Sequence, residues 1–113
     1  MDNLAQKIQF PEIIDQRGSL SFLESKNHIP FNIKCTSVIR DFNNLKNGEY
    51  LIKNHDELLV ALCGIIIIST KNGKIEETFK LNKPNFGLYI PRTLKRNFIK
   101  YSPNAILLVL KSD

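Results

Sequence analysis

The chain has 113 residues, of which 42% are apolar and 24% are charged, a composition that excludes a disordered protein and is typical of one folded domain. The length leaves no room for a separate catalytic or cofactor domain, so we treat residues 1–113 as a single domain. A formal net charge of +5 favours anionic partners, which include nucleotide phosphates, nucleic acid and membrane surfaces.

No segment of the sequence has the features of an export signal or a membrane span. The N-terminus, MDNLAQKIQF, has an early acidic residue and no long apolar run. The most apolar stretch, Leu58 to Ser69, is too short to cross a bilayer as a helix. We therefore expect a cytoplasmic protein with no membrane partner. In a reducing cytoplasm, Cys35 and Cys63 are expected to be free, buried thiols.

Short apolar segments alternate with turn signals along the chain, beginning with the turn Asp15 to Gly18 and ending with Ser102 to Asn104. Segments such as Cys35 to Ile39 and Gly64 to Ile68 are rich in β-branched residues, which pack well on a pleated surface. The sequence therefore predicts a mainly β protein made of successive strands.

The clearest predicted hairpin joins Ile65–Thr70 to Ile75–Leu81. Asn72 and Gly73 between them can supply the positive φ angles of a tight primed turn. Glu77 interrupts an otherwise apolar row on the second strand, so we expect either a bulge or a solvent-facing end there.

The segment from Ala105 to Leu110 is apolar on both faces of a strand. Such a strand is expected between two sheets or at a subunit interface. A very hydrophobic helix is the alternative, but Pro103 and the neighbouring strands favour a strand.

Four segments, read in order, resemble the dTDP-4-keto-6-deoxyglucose 3,4-ketoisomerases, also called the WxcM-like family. These segments are Asp15-x-Arg17-Gly18-Ser19-Leu20, Ile29-Pro30-Phe31-x-Ile33-Lys34, Glu57-Leu58-Leu59-Val60-x-Leu62-x-Gly64 and Gly87-Leu88-Tyr89-Ile90-Pro91. The resemblance implies an all-β, double-stranded antiparallel β-barrel of the cupin, RmlC-like jelly-roll type. It also implies an intimate homodimer that uses neither a metal nor a cofactor.

The resemblance further implies an isomerase that moves a carbonyl between neighbouring sugar carbons through an enediol. Imidazole suits this proton transfer because its pKa lies near operating pH. The family carries a His-x-His pair at the positions that Tyr50 and Ile52 occupy here, and a Trp-His pair at the positions of Lys95 and Arg96. We therefore expect the scaffold to be kept and the family's acid/base pair to be absent.

Two residues are weak candidates for a replacement acid or base. Tyr50 could exchange a proton, but a phenol with a reference pKa near 10 is a poor base, and packing in the barrel mouth is the alternative role. His55 carries an imidazole, but it follows Ile52 at a spacing that would place it on the other strand face. An exposed turn histidine is therefore the alternative interpretation of His55.

Four residues are candidates for substrate binding. Arg17 carries a guanidinium fork suited to a diphosphate, although Asp15 could pair with it at the surface instead. Lys95 or Arg96 could also hold phosphate, and Tyr50 could lie near the sugar.

The segment from Arg92 to Tyr101 interleaves cations and aromatic rings, a pattern also found in nucleic-acid-binding proteins. No recognition motif accompanies it, so we expect a phosphate-bearing small molecule and not nucleic acid. His28 and His55 are far apart and the cysteines lack ligand spacing, so no zinc site is expected.

Three functions remain open. The first is a divergent nucleotide-sugar 3,4-ketoisomerase that is weakly active or inactive. The second is a cupin module of a surface-polysaccharide sugar pathway, such as lipopolysaccharide biosynthesis, that binds a nucleotide sugar or a partner without catalysis. The third is a purely structural role in which only the family's dimer interface is retained.

Overall fold

A computed structural model describes residues 4–24, 26–42 and 54–113. Its regular structure consists of antiparallel strands. In chain order these are β1 (Gln6–Gln9), β2 (Glu12–Asp15), β3 (Gly18–Ser21), β4 (Cys35–Ile39), β5 (Glu57–Cys63), β6 (Ile66–Asn72), β7 (Ile75–Leu81), β8 (Phe86–Ile90), β9 (Lys95–Tyr101) and β10 (Ile106–Lys111).

Two sheets form the body of the fold. The larger sheet has five strands in the order β1-β8-β5-β10-β4, and the smaller has three in the order β7-β6-β9. The predicted all-β, cupin-like class is confirmed. The strand pairings seen among the described residues form a jelly-roll sandwich of separate sheets, not a sheet closed into a barrel.

The main hydrophobic core lies between these two sheets. Strand residues from both sides are fully or almost fully buried there, and they include Leu59, Ile66, Ile68, Leu88, Ile90, Leu107 and Val109. We call the space between the sheets the interior.

A second apolar cluster covers the other face of the five-stranded sheet. Ile29 and Phe31, from the segment between β3 and β4, pack there with Leu58 and Leu110. Alternate residues of β10 thus enter different clusters, which explains why this strand is apolar on both faces. The prediction that β10 lies between two sheets holds for one face only: that face packs toward the smaller sheet, whereas the other is covered by the chain segment between β3 and β4.

The predicted hairpin of β6 and β7 is confirmed, with Asn72 opposite Ile75. The connecting loop is Gly73 and Lys74, and only Gly73, with φ of 60°, has a positive φ. A glycine in the first loop position is typical of a type II′ turn. No register shift interrupts this hairpin. Glu77 therefore lies on the same face as Phe79, which packs against the interior core.

Strands β2 and β3 form a separate two-stranded sheet. Three of its large apolar side chains, Ile13, Ile14 and Leu20, are exposed, Ile14 to 70%. A lone two-stranded hairpin is marginally stable in water, and exposed apolar patches of this kind are typical of interaction surfaces.

The two cysteines are free, as expected, but the expectation that they are buried is wrong. Cys35 begins β4, which lies at an edge of the five-stranded sheet, and Cys63 ends β5 where its pairing with β10 shifts register. Strand ends and edges leave a small side chain open to solvent. Within the described part of the chain, no helix is long and apolar enough to cross a membrane.

Candidate functional site

A buried ion pair joins the two sheets at one end of the interior. Arg96 Nε donates to Glu57 Oε1 at 2.7 Å, and Arg96 Nη2 donates to Glu57 Oε2 at 3.0 Å. The Glu57 side chain is fully buried and that of Arg96 is 8% exposed. This two-point contact is the strong geometry of a guanidinium with a carboxylate.

The positions of both residues follow from strand alternation. Glu57 begins β5 and shares a face with Leu59 and Ala61, which belong to the interior core. Arg96 lies on β9 two residues before Phe98, whose ring centroid is 4.7 Å from the guanidinium carbon. Burial between facing strands therefore brings the two charges together.

His55 lies beside this ion pair. Its Nε2 is 3.4 Å from Glu57 Oε2, close enough for an electrostatic contact although not aligned as a hydrogen bond. The side chain is 27% exposed, so His55 is not the open turn residue of the sequence-based alternative. His55 precedes Glu57 by two residues, and its ring nitrogen faces the carboxylate of that residue. Its position relative to Ile52 lies outside the described residues.

Glu77 reaches the same end of the interior from β7. Thr70 of β6 is paired with Glu77 on one side and with Arg96 on the other. One carboxylate oxygen of Glu77 is buried and has no hydrogen-bond partner among the described residues. We call His55, Glu57, Thr70, Glu77 and Arg96 the polar end.

The structure separates Lys95 from Arg96. Successive residues of a strand point to opposite faces, and Lys95 is exposed whereas Arg96 is buried. Lys95 lies opposite Lys71 in the β6–β9 pairing. These two candidate phosphate ligands therefore cannot act on one ligand from the same face, and their role in substrate binding remains a prediction.

Arg17 lies at the tip of the β2–β3 arm, with 89% of its side chain exposed. Its Nη2 donates to Asp15 Oδ2 at 2.9 Å, and its backbone N–H donates to Asp15 Oδ1 at 2.8 Å. The guanidinium and that backbone bond hold the pKa of Asp15 below its usual value. A ligand phosphate at Arg17 would compete with this carboxylate.

Tyr50 and Ile52 lie outside the described residues. His28 Nδ1 accepts a hydrogen bond of 2.7 Å from the backbone N–H of Glu24, which fixes a loop turn. Among residues 4–24, 26–42 and 54–113, no three His, Cys, Asp or Glu side chains are grouped as metal ligands.

A second polar network is built on Asp56, which lies between His55 and Glu57 in the sequence. Asp56 Oδ1 accepts hydrogen bonds from the backbone N–H of Arg92 at 2.8 Å and from its Nε at 3.5 Å. Arg92 also donates to Ser112 Oγ at 3.2 Å. Burial, and then the charge of Asp56, raise the pKa of Tyr89 above its usual value.

Sequence reasoning missed Glu57 and Glu77 as site residues. A signal existed for both, because each is a carboxylate at an inward position of a strand whose other inward residues are apolar. Charged residues are almost never fully buried without a partner, so an inward carboxylate indicates a site or a buried ion pair.

Comparison with known proteins gives the family. Residues 3–113 match the family described as WxcM-like, C-terminal (FdtA). A TDP-4-oxo-6-deoxy-α-D-glucose 3,4-oxoisomerase from Aneurinibacillus thermoaerophilus is 33% identical over 107 residues, which cover 94% of this chain and 77% of that protein.

Two solved structures agree with this match. The TDP-quinovose 3,4-ketoisomerase of Campylobacter jejuni is 36% identical with a TM-score of 0.88, covering 96% of this chain and 85% of its own. The sugar 3,4-ketoisomerase QdtA of Thermoanaerobacterium thermosaccharolyticum, solved in complex with TDP, is 32% identical with a TM-score of 0.85, covering 96% and 80%. With this fold and this extent of matching, the chain belongs to the WxcM-like family of cupins, as a nucleotide-sugar isomerase-like member.

Proposed function

We propose that this protein binds a TDP-4-keto-6-deoxyhexose in its interior and has little or no 3,4-ketoisomerase activity. The observation that carries the proposal is the Arg96–Glu57 ion pair at the polar end, in which the two side chains hydrogen-bond to each other. Arg96 stands at the position where the resemblance implies a histidine.

The chemistry requires a group that takes a proton from one sugar carbon and a group that returns a proton to its neighbour. A guanidinium stays protonated and cannot serve as a base. Both oxygens of Glu57 already accept hydrogen bonds from Arg96. His55 is the imidazole of the polar end, so any slow turnover is expected to depend on it.

Ligand binding is supported separately from catalysis. Two relatives act on TDP-sugars by name, and QdtA was solved with TDP bound. The +5 net charge favours a diphosphate. We assign phosphate contact to Arg17, whose guanidinium is exposed apart from its bond to Asp15.

The second candidate is a cupin module without catalysis that binds a nucleotide sugar or a partner enzyme in the cytoplasmic steps of a surface-polysaccharide pathway. The same ion pair favours it, because Arg96 and Glu57 hydrogen-bond to each other, which suits binding more than proton transfer. Any detectable isomerisation would exclude this candidate.

We further propose a homodimer formed through the β2–β3 arm. Its exposed apolar side chains need burial that the described residues of one protomer do not supply. The arm also carries Arg17, so dimerisation would place that guanidinium against the second copy.

Deuterium uptake by TDP-4-keto-6-deoxyglucose in heavy water, followed by NMR, tests the proposed function. We expect uptake at the sugar carbons at or near the rate without enzyme, because each acid/base group typically contributes about 100- to 10,000-fold. An active WxcM-like ketoisomerase assayed in parallel is the control. Uptake at the control's rate would overturn the proposal.

The converse experiment restores the family pair. The double variant Tyr50→His, Ile52→His is expected to raise proton exchange above that of the parent chain, with His55→Ala as the comparison that removes the native imidazole. Loss of all residual exchange in His55→Ala would identify His55 as the source of the slow rate.

A further inference from the structure

Glu77 belongs to the polar end but takes no part in the ion pair between Glu57 and Arg96. Its side chain is partly buried, and one of its oxygens is wholly buried without a hydrogen-bond partner in the described part of the chain. A buried polar atom without a partner costs free energy, and a carboxylate oxygen costs more than a neutral one. The fold therefore retains an acceptor that a ligand's donor would satisfy.

The neighbouring cation does not satisfy this acceptor. Arg96 lies across Thr70 from Glu77, but its bonds run to Glu57 on the facing sheet. Glu57 and Arg96 offset each other's charge, so the carboxylate of Glu77 adds a negative charge that this ion pair does not offset. A diphosphate would be repelled there, whereas hydroxyl groups would be attracted.

Apolar side chains flank Glu77 on its own face of the smaller sheet. Phe79 follows two residues later on the same face, and Ile68 lies opposite Phe79. A carboxylate beside apolar side chains can accept hydrogen bonds from hydroxyls while the carbon face of a ring packs on its neighbours.

We propose that Glu77 recognises the hexose of a nucleotide-linked sugar by accepting hydrogen bonds from its ring hydroxyls. The ligand enters sugar first, and its diphosphate stays away from Glu77. This inference rests on the proposed function, because it assigns one residue to the sugar part of that ligand. Glu77 then determines specificity for the sugar and contributes nothing to binding of the free nucleotide.

Calorimetry with two probes, TDP and TDP-glucose, separates these contributions. Glu77→Ala is expected to weaken TDP-glucose binding about 10- to 100-fold, the usual effect of losing a hydrogen bond to a charged group. Binding of TDP should stay within about twofold or become tighter, because a like charge has been removed. Glu76→Ala is the matched control, since Glu76 is exposed on the opposite face of β7, and it should change neither affinity.

Glu77→Gln covers the case in which Glu77→Ala does not fold. The amide keeps one acceptor oxygen without the charge, so TDP-glucose binding should weaken by less than in Glu77→Ala while TDP binding does not weaken. An equal loss for both probes would indicate a structural role and overturn the inference, as would unchanged TDP-glucose binding. If the parent chain binds neither probe, the proposed function itself fails.

Discussion

Arg96 donates from two guanidinium nitrogens to the two carboxylate oxygens of Glu57, so each buried charge is matched by the other across the interior. The two residues are 39 positions apart in the chain. Desolvating two ions is costly, and the cost is offset only when the pair stays complete. The pair therefore makes the polar end sensitive to the loss of either partner.

Arg96→Ala is expected to lower the free energy of unfolding by about 3–5 kcal/mol, because it removes the guanidinium that pairs with the buried carboxyl group of Glu57. Urea denaturation at fixed protomer concentration measures this change. Arg17→Ala removes an exposed ion pair and should change stability by less than about 1 kcal/mol. Similar losses in the two variants would contradict the prediction.

The double variant Glu57→Leu, Arg96→Met removes both charges and keeps much of their volume. It should recover most of the stability lost in Arg96→Ala, because apolar replacements of buried ion pairs are often neutral or stabilising. A double variant as unstable as Arg96→Ala would show that the site needs the polar groups for reasons other than pairing.

Arg17→Ala is expected to weaken TDP binding by about 1.5–3 kcal/mol, the value of a hydrogen bond to a charged group. Asp15→Asn should bind TDP at least as tightly as the parent, since the amide no longer holds the guanidinium as an ion pair. Calorimetry checks both, with the exposed Lys74→Ala as a charge-matched control. Undiminished binding by Arg17→Ala would remove Arg17 from the site.

Ile14→Asp is expected to convert the proposed dimer to a monomer at micromolar concentration, because it places a charge in the apolar surface of the β2–β3 arm. Ile75→Asp is the control, since Ile75 is also exposed but lies on β7. Sedimentation velocity distinguishes the two species. If Ile75→Asp dissociates and Ile14→Asp does not, the interface lies on the smaller sheet.

The raised pKa of Tyr89 predicts that the free energy of unfolding falls at alkaline pH. Burial favours its neutral phenol and raises its pKa in the folded state above the unfolded value. Its contribution to stability is thus complete below a pH of about 10 and is lost as pH rises through the folded pKa. Tyr89→Phe should show a shallower loss of unfolding free energy above pH ~10 than the parent, with Tyr101→Phe for comparison. An identical alkaline slope would refute this assignment.

Local sequence patterns were sufficient to predict much of the fold. The hairpin of β6 and β7 follows from β-branched residues on both sides of Gly73, and the layered position of β10 follows from its unbroken apolar run. The turn itself differs by one residue from the prediction, because Gly73 alone adopts a positive φ and Lys74 completes the loop.

The candidate site was less predictable. The pairing of Arg96 with Glu57 depends on how two sheets face each other, and no local pattern encodes a contact over 39 residues. The period of a strand does predict that Lys95 and Arg96 point to opposite faces. It does not say which of them faces inward, and the register shift between Ile67 and Ile68 in the β6–β9 pairing interrupts the alternation along β9.

The alternation of side chains between the two faces of β10 also affects which substitutions the protein can tolerate during evolution. Leu107 and Val109 line the interior, whereas Leu108 and Leu110 belong to the outer cluster. Substitutions at odd and even positions therefore act on separate packing environments, so they should couple less than substitutions within one cluster. The outer cluster can keep the sheet intact while residues that face the interior are exchanged, so a new specificity can arise here without a new architecture.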